Sequence, residues 1–320
     1  MDDTRELLSS KHVSYIHDLF RHPAYLEHYM ADHLKMNALY WGIIALHVLN
    51  EPLPSEEVIT FVLSCYDSKS GGFCPAPKHD PHMLSTLSAI QLLKLYDSLA
   101  VLSSDQKKKI VEYIKSMQLP DGSFQGDSFG EVDTRFVYNA IQALSILEEL
   151  TPDIVDPAIN WILQCQNFDG SFGLAPGAES HSAQVFTCLG TLAIVGALDR
   201  LPNRELLEWW LSDRQVPSGG FNGRPEKLPD ACYSWWVGSC LKMLDKMDYI
   251  DKDKLSNFIL SCQGKDGGIS DRPGKAVDVY HTCFGLTGLS LLGYKGLAEI
   301  DPKYCLPVNV TRTIKEYPYK

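Results

Sequence analysis

Asp230 and Cys232 form an Asp-x-Cys pair, and His281 stands 49 residues beyond the cysteine. Oxygen, sulfur and nitrogen donors in that combination suit Zn²⁺, and three protein ligands leave a fourth position open, as catalytic zinc requires. A cation held there keeps a bound thiol ionised at neutral pH and so makes it a strong nucleophile. A plainer reading of the same residues is a helix-capping Asp, a buried Cys and a polar His. A second group contains His181, Arg224, Lys227 and Tyr233, with Arg135 and Arg272 further along. Such donors suit an anion like a diphosphate leaving group; alternatively they are salt-bridged to Glu131, Asp133, Glu179 and Glu226.

These residues meet only if the fold brings distant segments together, and an internal repeat supplies the means. One phrase recurs as Gln118-Leu-Pro-Asp-Gly-Ser-Phe124, Gln166-Asn-Phe-Asp-Gly-Ser-Phe172, Gln215-Val-Pro-Ser-Gly-Gly-Phe221 and Gln263-Gly-Lys-Asp-Gly-Gly-Ile269, with a looser copy ending at Phe73. The closing residues are separated by 51, 48, 49 and 48 positions, the signature of a repeat architecture. Before each phrase the pattern is an amphipathic helix; in 105–118, Ile110, Val111, Ile114 and Met117 mark one face. Ser55, Thr151 and Asn203 are expected N-caps of this outer set. After each phrase comes a helix that is apolar nearly all round, as in 36–49, 136–147, 231–246 and 282–292. The expected fold is therefore all-α, an α-α barrel of about six helix pairs, with the Asp-Gly turns reversing the chain through positive φ. It occupies the chain as a single domain, with a short N-terminal extension over about 1–25 and a tail over about 306–320.

In such a barrel the loops entering the inner helices share one rim, which gathers the ionisable residues. Below it Tyr40, Trp41, Tyr138, Phe186, Trp235, Trp236 and Phe284 line an aromatic funnel, a profile that fits a long hydrocarbon with a charged head. The 29 Lys and Arg against 40 Asp and Glu give a formal charge of −11, which argues against a dedicated nucleic-acid or anionic-membrane binder. No stretch reaches the roughly 18 apolar residues of a membrane span, and the charged Met1–Glu6 start lacks a signal-peptide pattern. A cytoplasmic protein is expected, with its nine cysteines mostly buried as free thiols.

The stretches GGFNGRPEKLPDACYSWW (219–236) and DRPGKAVDVYHTCFGLTGLSLLG (271–293) resemble the β subunits of protein prenyltransferases, most of all the Rab geranylgeranyltransferase (type II) branch. The repeat phrases extend this resemblance over roughly 25–305. It implies a barrel-shaped catalytic subunit paired with a helical α subunit, with one Zn²⁺ per β subunit on Asp230, Cys232 and His281. His181, Arg224, Lys227, Tyr233 and Arg135 would serve the isoprenoid diphosphate. Asn37, Tyr40, Trp41, Tyr138, Trp235 and Trp236 would form the chain pocket. The implied reaction joins a C-terminal cysteine of a Rab GTPase, presented by a Rab escort protein, to C1 of geranylgeranyl diphosphate as a thioether. Farnesyl-transferring relatives carry a Trp near the position of Asn37, so a smaller residue there implies a twenty-carbon chain. A magnesium requirement stays undecided, because Asp271 keeps a carboxylate those relatives associate with Mg²⁺ while Arg272 replaces their Lys.

Three other functions fit parts of the pattern. A protonation-initiated terpene cyclase shares the barrel and the aromatic lining but needs an Asp-x-Asp-Asp cluster, which is absent. A glycoside hydrolase needs two opposed carboxylates; Glu131 and Asp133 are candidates, but Cys232 is left without a task. A non-catalytic repeat scaffold has no use for the intact Asp230, Cys232, His281, Arg224 and Lys227. The Tyr317-Pro-Tyr-Lys320 end is no lipidation signal, which reads as a modifier, not a modified protein.

Overall fold

Six helices of the computed structural model, which describes residues 5–21 and 31–319, form a closed inner ring. They are α2 (Lys35–Val48), α4 (Met83–Leu95), α6 (Thr134–Ile146), α8 (Ser182–Ile194), α10 (Tyr233–Met243) and α12 (Val279–Leu291). Each packs on the next, and α12 packs back on α2. Their composition requires that arrangement: in α6 every residue except Arg135 is buried, so an open stack would leave an apolar face in water. The outer helices are α1 (Ser9–Arg21), α3 (Glu56–Ser64), α5 (Ser104–Ser116), α7 (Pro152–Gln164), α9 (Arg204–Ser212) and α11 (Lys252–Ser261). They bury one stripe only; α5 buries Ile110, Tyr113 and Ile114.

The repeated phrase does more than reverse the chain. Gln118, Gln166, Gln215 and Gln263 pair through the backbone with the closing Phe124, Phe172, Phe221 and Ile269, all fully buried. Several of the glutamines also bond the start of the next outer helix: Gln118 Nε2 donates to the Ile154 carbonyl at 2.9 Å, and Gln215 Oε1 accepts from the Asp251 N–H at 2.8 Å. Gln263 Oε1 accepts from Leu8 N–H at 2.8 Å and lies 2.9 Å from His12 Nε2. The bonds from the Asp251 and Leu8 N–H groups supply partners for donors that a helix start leaves unpaired. Gly219 has φ +90°, and an added Cβ would lie 2.4 Å from the Lys254 carbonyl; Gly267 meets Lys11 of α1 in the same way at 2.2 Å. The rim is linked as well, since the N–H groups of Met83, Thr134, Ser182 and Ala231 reach carbonyls of Gly126, Leu174, Gly223 and Asp271 in the following loop.

Two boundaries differ from the sequence expectation. The stretch expected to be an N-terminal extension contains α1, which docks between the last and first repeats and completes the outer ring. The stretch expected to be a tail is folded onto the barrel: its first strand β4 (Leu306–Pro307) pairs with β3 (Ile300–Asp301) just before it, β1 (Ile269–Ser270) and β2 (Val277–Asp278) having come earlier in the chain, and a short helix α13 (Val308–Thr311) follows. Ser55, Thr151 and Asn203 occupy the expected N-cap positions, but no side-chain capping bond forms. Side-chain caps occur instead at Ser103, Asp133 and Asp251, where the oxygen accepts from a backbone N–H two or three residues further along the chain. All nine cysteines are free and buried.

Gly219→Ala should cost about 2 kcal/mol or more, because positive-φ strain adds to a clash with backbone. Gly274→Ala, at φ +77° with nothing within 4 Å, should cost about 1 kcal/mol for the φ strain alone. Urea melts of the two variants measure the difference.

Candidate functional site

Asp230, Cys232 and His281 come together at the heads of the neighbouring helices α10 and α12. Their donor atoms all lie within 4.8 Å of one another. His281 Nε2 is 3.3 Å from Asp230 Oδ1, and Asp230 Oδ1 also accepts from the Cys232 N–H at 2.8 Å. The other imidazole nitrogen, Nδ1, is 2.6 Å from Asp278 Oδ2, while Asp278 Oδ1 caps α12 by accepting from the His281 N–H at 2.8 Å. Asp278 thereby fixes the ring and leaves Nε2 facing the cluster, the outer-sphere arrangement that orients metal-ligating histidines.

The protonation preferences suit a place for a cation. Burial pushes the Cys232 thiol well above its ordinary value, and the Asp230 carboxylate adds to the shift. Burial works against charge on His281, but the bonds to Asp230 and Asp278 outweigh it and raise the imidazole to about 9. Burial opposes ionisation of Asp230 too, yet its bonds to His281 and Cys232 hold its pKa below the usual carboxylate value. One carboxylate thus faces two bound protons, and a divalent cation can displace both. Mixed O, S and N donors at this spacing fit zinc.

A cavity of about 460 Å³ opens beside this cluster, lined by His181, Arg224, Lys227, Tyr233, Asp230 and Arg272 among others. His181 caps α8 through Nδ1, which accepts from the Ala183 N–H at 3.2 Å, so the ring proton sits on Nε2. Burial and then the Arg224 charge lower its pKa. Nε2 lies 3.3 Å from the Tyr233 hydroxyl oxygen, leaving the Tyr233 O–H free to donate into the cavity. Gly223 permits this approach, because a Cβ there would be 2.3 Å from the Tyr233 hydroxyl and 2.8 Å from His181 Nε2. Arg224 pairs with the exposed Glu179 at 2.9 Å and Arg272 with Asp271 at 2.9 Å. Among the described residues Lys227 has no carboxylate partner. Arg135 is placed differently: Asp133 and Glu131 hold its guanidinium at 2.6 and 2.7 Å, and it does not line this cavity. That pairing also leaves Glu131 and Asp133 on one cation instead of opposed across a cleft.

The expected aromatic residues form one connected wall below the rim. Trp41 meets Tyr280 edge-on at 5.1 Å, Tyr280 meets Phe284 at 4.8 Å, and Phe284 meets Trp236 at 4.5 Å. Phe186 joins Trp236, Trp235 and Tyr138 at 5.0, 5.9 and 5.1 Å. Tyr40 and Tyr138 instead turn their hydroxyls to the lower end, donating to the Cys305 and Lys303 carbonyls at 2.7 Å each. Gln91 and Gln142 donate to the Tyr304 carbonyl at 3.1 and 2.6 Å, so the C-terminal segment makes the floor. Asn37 Nδ2 donates to Ser88 Oγ at 3.0 Å, which ties α2 to α4.

The chain matches the model of the prenyltransferase alpha-alpha toroid domain over residues 7–306. It is 56% identical to geranylgeranyl transferase type-2 subunit beta of Saccharomyces cerevisiae, with all of both chains covered. The corresponding Candida albicans subunit is 54% identical over 94% of this chain and 93% of its own. The protein belongs to the protein prenyltransferase β-subunit family. Its fold matches that of Candida albicans protein geranylgeranyltransferase-I complexed with GGPP with TM-score 0.83, at 22% identity over 96% of this chain and 98% of that one. Type II terpene cyclase MstE from Scytonema shares the architecture more loosely, in one structure with TM-score 0.62 at 11% identity over 90% of this chain and 98% of that one.

For a family member, the residues without an expected role are as informative as those with one. Asp278 and Gly223 act on the two clusters through their neighbours, and Tyr280 links the clusters to the aromatic wall. The Tyr280 hydroxyl accepts from Trp236 Nε1 at 3.2 Å and lies beside the Cys232 thiol. A carboxylate three positions before a candidate ligand histidine, at a helix start, is the signal that marks Asp278. Asp278→Ala should weaken binding of added Zn²⁺ by about 10- to 100-fold, read by competition with a chromophoric chelator, and should also lower the stability of the zinc-free protein by about 1 kcal/mol through loss of the α12 cap.

Proposed function

We propose that the chain is the catalytic β subunit of a protein geranylgeranyltransferase of the type-2 class, acting with an α subunit. In this reading it transfers the geranylgeranyl group of geranylgeranyl diphosphate to C-terminal cysteines of Rab GTPases presented by an escort protein. The observation that carries the reading is the convergence of Asp230, Cys232 and His281 beside a cavity walled by His181, Arg224, Lys227 and Tyr233. The relatives named as geranylgeranyl transferase type-2 beta subunits support the geranylgeranyl donor and the type-2 class.

Asp230, Cys232 and His281 would hold one zinc, which supplies positive charge that keeps a substrate thiol ionised at neutral pH. The chain's own residues then order the rest. The aromatic wall takes the isoprenoid by apolar contact, with the C1 end directed up to the rim. Sulfur forms a bond to C1 as the C1–O bond breaks, and diphosphate leaves with the electron pair. Charge that grows on the departing oxygens meets Lys227, Arg224 and the Tyr233 O–H, whose oxygen the His181 Nε2–H holds from behind. Lys227 is the group most available, since Arg224 must first leave a half-exposed pair with Glu179. The small Asn37 leaves room for a twenty-carbon chain where a Trp would shorten the pocket. Asp271 is engaged by Arg272 through both Nε and the backbone N–H, so cationic charge is present there without magnesium.

The test is single-turnover transfer from radiolabelled geranylgeranyl diphosphate to an escort-bound Rab protein, using the chain co-expressed with its α subunit. Cys232→Ala should reduce transfer at least about a thousandfold while the donor still binds and the barrel still melts cooperatively. Normal turnover in that variant removes the proposed chemistry.

A further inference from the structure

In all five turns the same two positions are joined by a backbone bond of 2.9 to 3.1 Å, from the residue after the closing position to the residue before the bridge. The residue before the bridge is Cys65, Met117, Cys165 or Cys262 in four of these turns, a neutral side chain suited to a buried place. In the remaining turn it is Arg214. That guanidinium is 2% exposed, and its partner across the turn, Asn222, is 4% exposed.

Burying a guanidinium is costly unless its donors are paired, and here they are. Arg214 lies over the Trp210 ring at 4.4 Å and donates to the Trp210 carbonyl at 3.1 Å. It donates also to Asp213 Oδ2 at 2.8 Å and Asn222 Oδ1 at 3.2 Å. Arginine offers donors only, so this last bond dictates how the amide sits. With Oδ1 turned to Arg214, Asn222 Nδ2 faces the Lys227 carbonyl and donates to it at 3.0 Å. Asn222 stands at the base of the 222–229 loop, paired with Pro229, and that loop carries Gly223, Arg224 and Lys227. Its other side is tied to the head of α8, where Ser182 donates to the Gly223 carbonyl from both Oγ at 2.9 Å and N–H at 2.8 Å.

We infer that Arg214 is a positioning residue for the anion-binding loop: through Asn222 it fixes the segment that presents Arg224 and Lys227 to the cavity. The inference rests on the reading of that cavity as the diphosphate site. It explains why a charge is buried in this turn and not in the others, since the turn before the metal-ligating head of α10 is the one whose loop must hold two cations at a set distance from Asp230.

The experiment compares affinities for geranylgeranyl diphosphate and for geranylgeraniol, by calorimetry on the chain assembled with its α subunit. Arg214→Met introduces the residue that the Met117 turn already accommodates, and Asn222→Asp keeps an acceptor for Arg214 while removing the donor to Lys227. Both should weaken the diphosphate about tenfold, the scale of one hydrogen bond to a charged group, and leave the alcohol unchanged. Lys227→Ala serves as the reference for the site itself. If Lys227→Ala loses diphosphate affinity while both other variants retain it, the positioning role is overturned and the diphosphate site stands. If all three retain it, the diphosphate reading falls and the inference with it. Equal weakening of diphosphate and alcohol in Arg214→Met and Asn222→Asp shows a general loss of barrel order and also overturns it.

Discussion

Closure of the inner ring is the constraint on which every other feature depends. Six helices that are apolar nearly all round can leave water only by packing on one another in a circle. In a circle, residues one repeat apart in sequence become neighbours at the same height. Cys232 and His281 belong to successive repeats, and the ring sets their helix heads side by side. The turns hold the ring at that diameter. Each glycine turn seats on the backbone of the next outer helix, and α1 receives the last turn, with Gly267 against Lys11. The N-terminal helix therefore belongs to the ring that positions His281, though the two are separated by most of the chain.

The closed barrel creates two chemically unlike ends. Helix heads, their loops and their capping side chains collect at the upper rim, so carboxylates, imidazoles and cations concentrate there. At the lower end the Lys303, Tyr304 and Cys305 carbonyls are taken up by Tyr138, Gln91, Gln142 and Tyr40. Between them runs a wall of indole, phenol and phenyl rings. The proposed function uses that contrast, with the charged head of an amphipathic substrate at the rim and its hydrocarbon along the wall. Several rim histidines serve a helix before they serve a ligand: His181 caps α8 and His82 caps α4 through the same nitrogen, which fixes the tautomer that faces outward.

Much of this was legible in the sequence because periodicity encodes it directly. The recurring Gln/Gly/Phe phrase located the turns, the contrast between α5 and α6 in apolar pattern separated outer from inner helices, and the repeat register aligned Asp230 and Cys232 with His281. Other features depend on distances that no pattern carries. Asp278 looks like an ordinary cap until its second oxygen is found 2.6 Å from the His281 ring. Arg135 reads equally as a cation for a bound anion and as a partner of Glu131 and Asp133, and only the distances show that these two carboxylates hold it. Arg214 carries no signal of its burial in the sequence, since arginine seldom lies fully buried. The floor escaped notice because backbone carbonyls have no residue type to betray them, and α1 because nothing in its own sequence names the distant turn it packs against.

The central claim is that the three donors at the heads of α10 and α12 constitute a metal centre adjoining an anion site. Elemental analysis of the chain purified with its α subunit addresses it most directly, with wild type and Cys232→Ala compared at matched folding by circular dichroism. The account predicts one zinc per β chain in the wild type and little in the variant. A well-folded wild-type complex without zinc, or a variant that retains the full amount, would contradict it.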